Sequence, residues 1–127
     1  MPNAIVEKPP IESKDVRLAL FSYIDENVHV VYSPALNLYG YGNDEEEARQ
    51  SFSVTLEEYL DYTRENGTLR RDLERLGWQI DVQSQSISAP PIEQVVRQNP
   101  DFNGILTNRP LKTYHRIVRF DAFDQPA

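Results

Sequence analysis

An amphipathic helix with a well-marked start and end constrains this chain more than any other feature. The segment 44–65 carries apolar residues at spacings of three and four, which place them on one side of a helix. These residues are Ala48, Phe52, Leu56, Tyr59, Leu60 and Thr63. The opposite side is polar, so the helix has one face to bury and needs one surface to cover.

Local signals mark both ends of this helix. Asn43 is the predicted N-cap, and Glu46, three residues later, completes a capping box with it. The successive acids 44–47 place negative charge at the positive end of the helix dipole. Gly67 is the predicted C′ residue, because glycine accepts a positive φ without a steric penalty.

The strands before this helix are the surface that we expect it to cover. The segments 16–24 and 28–32 alternate in polarity, as half-buried strands do. A short polar loop joins them, and its Asn27 tolerates the left-handed region of backbone conformation. The two segments therefore predict a β-hairpin.

A third short strand leads into the helix. Tyr39 and Tyr41 share one side of it, while Gly40 and Gly42 allow a kink or a close backbone approach. Short sequential connections favour antiparallel pairing of the three strands. Tyrosine is enriched at protein–protein contacts, so Tyr39 and Tyr41 are candidate partner-binding residues.

Shorter elements follow the long helix. They are a second helix capped by Thr68 and ended by Gly77, a fourth strand over 78–82, a third helix over 92–98 that ends at Asn99-Pro100, and one apolar turn at 102–106. The polar segment 83–89 either extends the fourth strand or forms a loop.

The last segment, 111–123, is a predicted strand without a clean alternation, so neither of its faces is plainly inside. Such a strand lies on a sheet edge or pairs with a second copy of the chain. Its aromatic and basic residues Tyr114, Arg116 and Phe120 are therefore further candidate partner-binding residues.

These elements predict an α+β fold. It has a three- to four-stranded antiparallel sheet with one long helix packed on one face, a short second helix and a C-terminal strand extension. We expect a flexible N-terminal tail over 1–15, an α+β domain over 16–82, and an extension over 83–127 that packs on the domain or on a second copy.

Composition narrows the classes of function. The net charge is −7, which disfavours general nucleic-acid binding, and the absence of Cys excludes disulfides and thiolate metal sites. No apolar run approaches the roughly 20 residues that span a bilayer, and residues 1–15 lack the apolar core of a signal peptide. We expect a cytoplasmic protein without membrane association.

No residues combine into a catalytic or metal-binding set. His29 and His115 lie far apart, and neither has a second ligand at suitable spacing. The acids 44–47 point about 100° apart around a helix, so they cannot converge on one ion. We therefore predict no enzymatic activity, no metal and no cofactor.

The central block resembles the HicB-like antitoxin family. The matching residues, in the family's order and spacing, are Ser33-Pro34-Ala35-Leu36, Gly40-Tyr41-Gly42-Asn43 and Glu46-Glu47-Ala48. Over residues 16–82 the resemblance implies a small α+β fold, described as a partial ribonuclease H-like fold and regarded as non-catalytic. Family members neutralise a small basic RNA-cleaving toxin of the HicA type by covering its active surface.

Many members of that family also carry a C-terminal helix-turn-helix or ribbon-helix-helix segment that binds DNA. This chain departs there, because prolines, a short helix and a basic-aromatic strand follow Val82. The expected partners are a protein, such as a basic HicA-type toxin, and a second copy of the chain in a homodimer or higher oligomer.

Three alternatives stay open. One is a nucleic-acid-binding transcriptional regulator of its own operon, which would use basic residues of the second helix and the last strand. These are Arg70, Arg71, Arg75, Lys112, Arg116 and Arg119. Another is an orphan structural module without a toxin. The last is a hydrolase built on a ribonuclease H-like remnant, which would need clustered carboxylates.

Overall fold

The computed structural model describes residues 11–108 and 110–123, and this part of the chain has an α+β fold, as predicted. Its elements, in order, are β1 (Lys14–Asp25), β2 (Val28–Ser33), β3 (Leu38–Gly42), α1 (Glu45–Glu65), α2 (Leu69–Arg75), β4 (Gln79–Asp81), β5 (Ser86–Ser88), α3 (Ile92–Gln98), α4 (Pro100–Asn108) and β6 (Lys112–Phe120). One antiparallel sheet has the strand order β3-β2-β1-β6, and β4 and β5 form a separate two-stranded sheet.

A tight turn joins β1 to β2. Asp25 pairs with Val28, so Glu26 and Asn27 alone make the turn, with φ values of 49° and 68°. Two successive positive φ values define a type I′ turn, whose twist matches that of the strands it joins. The left-handed conformation predicted for Asn27 is confirmed, and Glu26 adopts it as well.

α1 buries the apolar face that its sequence predicts. Ala48, Phe52 and Leu56 are at most 2% exposed, and they belong to one core cluster with Leu20 of β1 and Val31 of β2. Full burial of a Phe or Leu side chain stabilises a fold by about 1.5–3 kcal/mol. This cluster therefore holds α1 on the sheet.

The start of α1 lies one residue later than predicted. Asp44, rather than Asn43, is the N-cap, and its Oδ1 accepts a hydrogen bond from the backbone N–H of Glu47 at 2.8 Å. The Asn43 N–H in turn donates to Glu47 Oε1 at 3.3 Å. The predicted pairing of Asn43 with Glu46 is wrong, because Asp44 is the extended residue whose carboxylate meets the free N–H groups.

Gly67 is the C′ residue of α1, as predicted. Gly67 has φ of 63°, its N–H donates to Arg64 O, and the Thr68 N–H donates to Thr63 O. This pair of bonds is a Schellman motif, which satisfies the last carbonyl groups of the helix. Gly77, with φ of 100°, ends α2 in the same way. Thr68 holds the N-cap position of α2, as predicted, but its side chain makes no capping hydrogen bond.

Backbone contact between β3 and α1 explains the two glycines of β3. A Cβ added at Gly42 would lie 2.5 Å from the backbone nitrogen of Ala48, and Gly40 is equally close to the next turn of the helix. Such distances leave no room for any side chain. The predicted close backbone approach is confirmed.

α3 and α4 cover part of the sheet face opposite α1. Phe102 of α4 is fully buried, and its ring stands edge-on to Phe21 and Tyr32, with centroids 5.2 and 5.1 Å away. The sequence predicted only one apolar turn here. The helix forms because the Asn99 side chain accepts from the Phe102 N–H and Pro100 takes the first helical position.

The fourth strand of the main sheet is β6, not β4. Within the described residues β4 pairs with β5 alone, so the predicted strand over 78–82 forms a small hairpin with part of 83–89. Trp78, just before β4, is buried, and its Nε1–H donates to the Ala35 carbonyl oxygen at 2.8 Å. This bond fixes the small hairpin to the loop after β2.

β6 pairs with β1 over nine residues, from Lys14↔Phe120 to Ser22↔Lys112. From Tyr114 to Phe120, the even-numbered side chains face α1 and the odd-numbered ones are exposed. This alternation is not evident from the sequence, because the charged Arg116 occupies an inward-facing position and an isoleucine occupies an outward-facing one. Segments 16–82 and 83–123 therefore share one sheet.

The chain near its first described residue is held by the C-terminal segment. Ile11 is fully buried and exchanges two backbone hydrogen bonds with Phe123. Residues 14 and 15 already belong to β1. The remainder of the expected tail, residues 1–10, lies outside the described residues.

Candidate functional site

Phe120, one of the five candidate partner-binding residues, lies in the core. It is 1% exposed, and its ring centroid is 5.6 Å from that of Trp78. The side chain points inward because position 120 falls on the α1-facing side of β6. Phe120 is therefore not available to a partner.

Tyr114 and Arg116 share that inward side and take part in a row of polar contacts between β6 and α1. The contacts, in order along both elements, are Glu45 with Lys112 (Oε2 to Nζ 3.2 Å), Arg49 with Tyr114 (Cζ to ring centroid 4.1 Å) and Ser53 with Arg116 (Oγ to Nη1 2.5 Å). The hydrogen bond from Lys112 holds the pKa of the Glu45 carboxyl below its usual value.

The row is regular because α1 and β6 run in the same direction with matching repeats. Four helical residues rise about 6 Å, and two strand residues rise about 6.7 Å. Steps of four along α1 therefore stay level with steps of two along β6. Further along, Arg64 donates to Asp121 at 2.5 Å. Tyr114 and Arg116 thus bind α1 of their own chain.

Tyr39 and Tyr41 lie on the face of the sheet away from α1 and continue a stack that starts in the core. Ring centroids are 4.4 Å apart between Tyr32 and Tyr39 and 6.1 Å apart between Tyr39 and Tyr41. Tyr41 is 55% exposed. Burial, and then the neighbouring Tyr39, raise the pKa of Tyr41, so its hydroxyl stays a neutral donor. Among the five candidates, Tyr41 offers the most exposed ring.

The outer face of α1 is rich in exposed acids, and we call it the acidic ridge. Its exposed residues are Glu46, Val54, Glu57, Glu58, Asp61, Tyr62 and Glu65. Since a helix rises 1.5 Å per residue, the ridge is about 28 Å long. Asp61 pairs with Arg64, whereas Glu46, Glu57, Glu58 and Glu65 form no ion pair with any described residue.

Val54 and Tyr62 interrupt the ridge with exposed apolar surface, at 54% and 66% exposure. Tyr62 also borders an open cleft of about 770 Å³ between α1 and α2. The sequence analysis missed both residues. Their signal was a Val and a Tyr outside the apolar stripe of a helix whose other outward residues are mostly charged.

The basic residues proposed for nucleic-acid contact are mostly engaged within the chain. Arg75 pairs with Asp72, Arg70 with Glu74, Lys112 with Glu45 and Arg119 with Asp15, and Arg116 donates to Ser53. Of the six, Arg71 forms neither an ion pair nor a side-chain hydrogen bond with a described residue. These side chains are divided between α2 and β6.

No group of three His, Asp or Glu side chains in residues 11–108 and 110–123 is placed to hold a metal ion. His29 and His115 line separate clefts on different strands. In the same part of the chain, no helix combines the length and apolar character needed to cross a membrane.

Comparison with protein families, with curated proteins and with solved structures finds no match to this chain. The HicB-like resemblance therefore rests on the sequence blocks that carry it.

Proposed function

We propose that this chain is a protein-interaction module without catalytic activity, of the HicB-like antitoxin kind, which masks a small basic RNA-cleaving toxin. The observation that carries the proposal is the acidic ridge, with its four carboxylates free of ionic partners in the described structure. The ridge lies on a helix fixed to the sheet by Ala48 and Phe52, so its charges are presented in a constant arrangement.

The chemistry of the expected partner favours this surface. A protein that cleaves RNA must attract phosphates, so its active surface carries Lys and Arg. The carboxylates of the ridge, four of them within about 12 Å over residues 57–65, compete for those same side chains, and charge complementarity of this kind speeds association and selects partners. Masking then requires contact alone, with no chemical step.

The exposed apolar groups of the ridge supply the binding affinity that exposed charges do not. Exposed charge pairs contribute little to affinity on their own, whereas aromatic residues near the centre of an interface often contribute most. Tyr62 stands beside an open cleft, and Val54 stands between Glu57 and the first turns of α1. We assign these two residues the apolar part of the contact and the carboxylates its orientation.

The test is binding to, and inhibition of, a HicA-type toxin, a small basic RNA-cleaving protein. The chain and its Glu57→Lys/Glu58→Lys/Glu65→Lys variant are each mixed with that protein, and complex formation and RNA cleavage are measured. We expect wild type to bind and to stop cleavage. The variant should bind at least about tenfold more weakly, because it presents cations to a basic surface.

A control variant distinguishes the effect of the ridge on binding from the effect of net charge. Glu26→Lys/Glu93→Lys/Asp101→Lys reverses three exposed acids outside α1 and has the same net charge as the ridge variant. We expect it to bind nearly as well as wild type. If both variants lost binding affinity equally, the ridge would contribute only through the overall charge of the chain. No complex with wild type would overturn the antitoxin proposal.

A further inference from the structure

The outer edge of β6 is left unpaired by the described residues of the chain. In an antiparallel ladder, residues alternate between bonding to one neighbour and to the other. The tight turn makes Asp25 and Val28 a hydrogen-bonded pair, so odd-numbered residues of β1 bond to β2 and even-numbered ones to β6. On β6, residues 113, 115, 117 and 119 therefore point their N–H and C=O groups away from β1.

No strand in the described structure lies beyond this edge. Four residues with open backbone groups make a long free edge, which proteins usually shorten, cover or pair. At the other edge of the sheet, the Tyr41 N–H of β3 donates to Ser51 of α1 at 3.0 Å. No helix of the described residues makes such a bond with the edge of β6.

The side chains at the edge favour association of like with like. Ile117, in the middle of the strand, is 62% exposed. The charges around it are matched within the chain, since Lys112 pairs with Glu45, at 3.2 Å, and Arg119 with Asp15, at 3.1 Å. The edge is thus close to neutral in a chain of net charge −7, so electrostatic repulsion between two copies is weak there.

We propose that two copies of this chain pair through β6 about a two-fold axis, with Ile117 opposite Ile117 of the second copy. Each four-stranded sheet then continues into the other, giving eight strands. A two-fold axis makes this contact self-complementary and closed. The register set by Ile117 also places Arg116 opposite Val118 of the second copy.

One of the two neighbouring registers is unfavourable because of Arg116. Shifting the axis by one residue would place Arg116 opposite Arg116 of the second copy, and like charges directly opposite each other destabilise a strand pair. The register at Ile117 avoids this and covers the exposed isoleucine. It leaves the outer face of α1 open in both copies, so a dimer and a toxin complex are compatible.

The first test measures the mass of the isolated chain by sedimentation over a range of concentrations. We expect a dimer. Ile117→Pro should raise the dimer dissociation constant by about tenfold or more, because it removes two symmetry-related hydrogen bonds at the axis while every β1–β6 bond remains. Ile117→Lys provides a second variant that keeps the backbone N–H, and thermal unfolding verifies that both fold.

Val54→Lys is the matched control, since Val54 has a similar exposure, 54%, but lies on α1. We expect it to dimerise like wild type. A monomer at all concentrations, or a dimer unaffected by both Ile117 variants, would overturn the proposal. The measurement uses no partner protein, so neither result bears on the role of the acidic ridge, which is tested separately.

The second test reads the register directly. The chain has no Cys, so a single Ile117→Cys variant can form only one disulfide, between two copies. Cα atoms of a hydrogen-bonded pair lie about 5.5 Å apart, within disulfide range. In His115→Cys or Arg119→Cys the two sulfur-bearing residues would be separated by about 14 Å along the strands and should not cross-link.

Mixing His115→Cys with Arg119→Cys should restore cross-linking, because these positions face each other in the proposed register. Equal cross-linking of all three single variants would indicate random collision and overturn the register.

Discussion

Gly40 and Phe52 meet backbone to backbone, so that a Cβ at position 40 would lie 2.3 Å from the Phe52 nitrogen. Real Cβ atoms are not found this close to other atoms, and the obstacle is the helix backbone rather than a movable side chain. Gly40→Ala should therefore push α1 off β3 and lower the free energy of unfolding by about 3 kcal/mol or more. Urea denaturation followed by circular dichroism measures this loss.

Gly104→Ala is the matched control for that substitution. Gly104 lies inside α4, and a Cβ there would meet no atom within 4 Å. Alanine is the better helix former, so this variant should gain up to about 1 kcal/mol. The same chemical change thus has opposite signs at two sites. Equal, small effects at both would mean that α1 does not press on β3.

The N-cap of α1 provides a second prediction. Asp44 accepts a hydrogen bond from the Glu47 N–H, whereas no capping bond is made by the Asn43 side chain. Asp44→Ala should lower the free energy of unfolding by about 1 kcal/mol, and Asn43→Ala by less than half as much. Urea denaturation of both variants decides between the two caps. A larger loss of unfolding free energy in Asn43→Ala would show that Asn43 is the N-cap, as the sequence predicts.

The sequence predicts this fold well where the determinants are local. The apolar stripe of α1, Gly67 at its end and Asn27 in the turn each depend on a few neighbouring residues, and all three are confirmed. The close approach at Gly40 and Gly42 was also predictable, since glycines next to a helix start allow it. The N-cap was missed because Asn43 and Asp44 are both good caps, and only the backbone path selects one.

What the sequence could not supply is the set of contacts between distant segments. Arg116 made β6 resemble a strand without an inside, because its partner Ser53 is 63 residues away. Asn99-Pro100 was interpreted as the end of α3, but the same two residues also start α4. The inward direction of Tyr114 and Arg116 could not be predicted for the same reason, since in the sequence a long polar side chain facing a helix looks the same as one facing a partner.

Alkaline pH should destabilise the fold through Tyr59. Burial, followed by its hydrogen bond to Asp72, raises the pKa of Tyr59 well above that of a free tyrosine. Below about pH 10 tyrosine is neutral in both states, and this contribution to stability is complete. Above about pH 10 the unfolded chain loses the proton first, so stability falls as pH rises. Urea denaturation from pH 7 to 11 should show this decline.

Tyr59→Phe tests the assignment. At neutral pH it should lower the free energy of unfolding by about 1–2 kcal/mol, because the hydrogen bond to the Asp72 carboxylate is lost. It should also reduce the decline above about pH 10 without abolishing it, since burial raises the pKa of Tyr32 as well. An unchanged decline would show that Tyr59 ionises as easily in the folded chain as in the unfolded one.

For the removal of Arg116, the sequence and the structure predict different effects on stability. If it contacts a partner, as the sequence suggested, its removal should leave the isolated chain as stable as before. The structure instead makes it a tie between β6 and α1. Arg116→Met keeps the aliphatic stem and removes the guanidinium, so it should cost about 1–2 kcal/mol of stability.

Arg119→Met is the comparison on the outward side of the same strand. Arg119 pairs with Asp15 at 3.1 Å, but both side chains are about 60% exposed, and exposed pairs contribute little. We expect a loss below about 0.5 kcal/mol. A double-mutant cycle of Arg116→Met with Ser53→Ala, measured at concentrations that keep the chain monomeric, should give a coupling energy of about 1 kcal/mol. A coupling energy of zero would mean that Arg116 does not hold β6 to α1. Arg116 would then again be a candidate partner-binding residue.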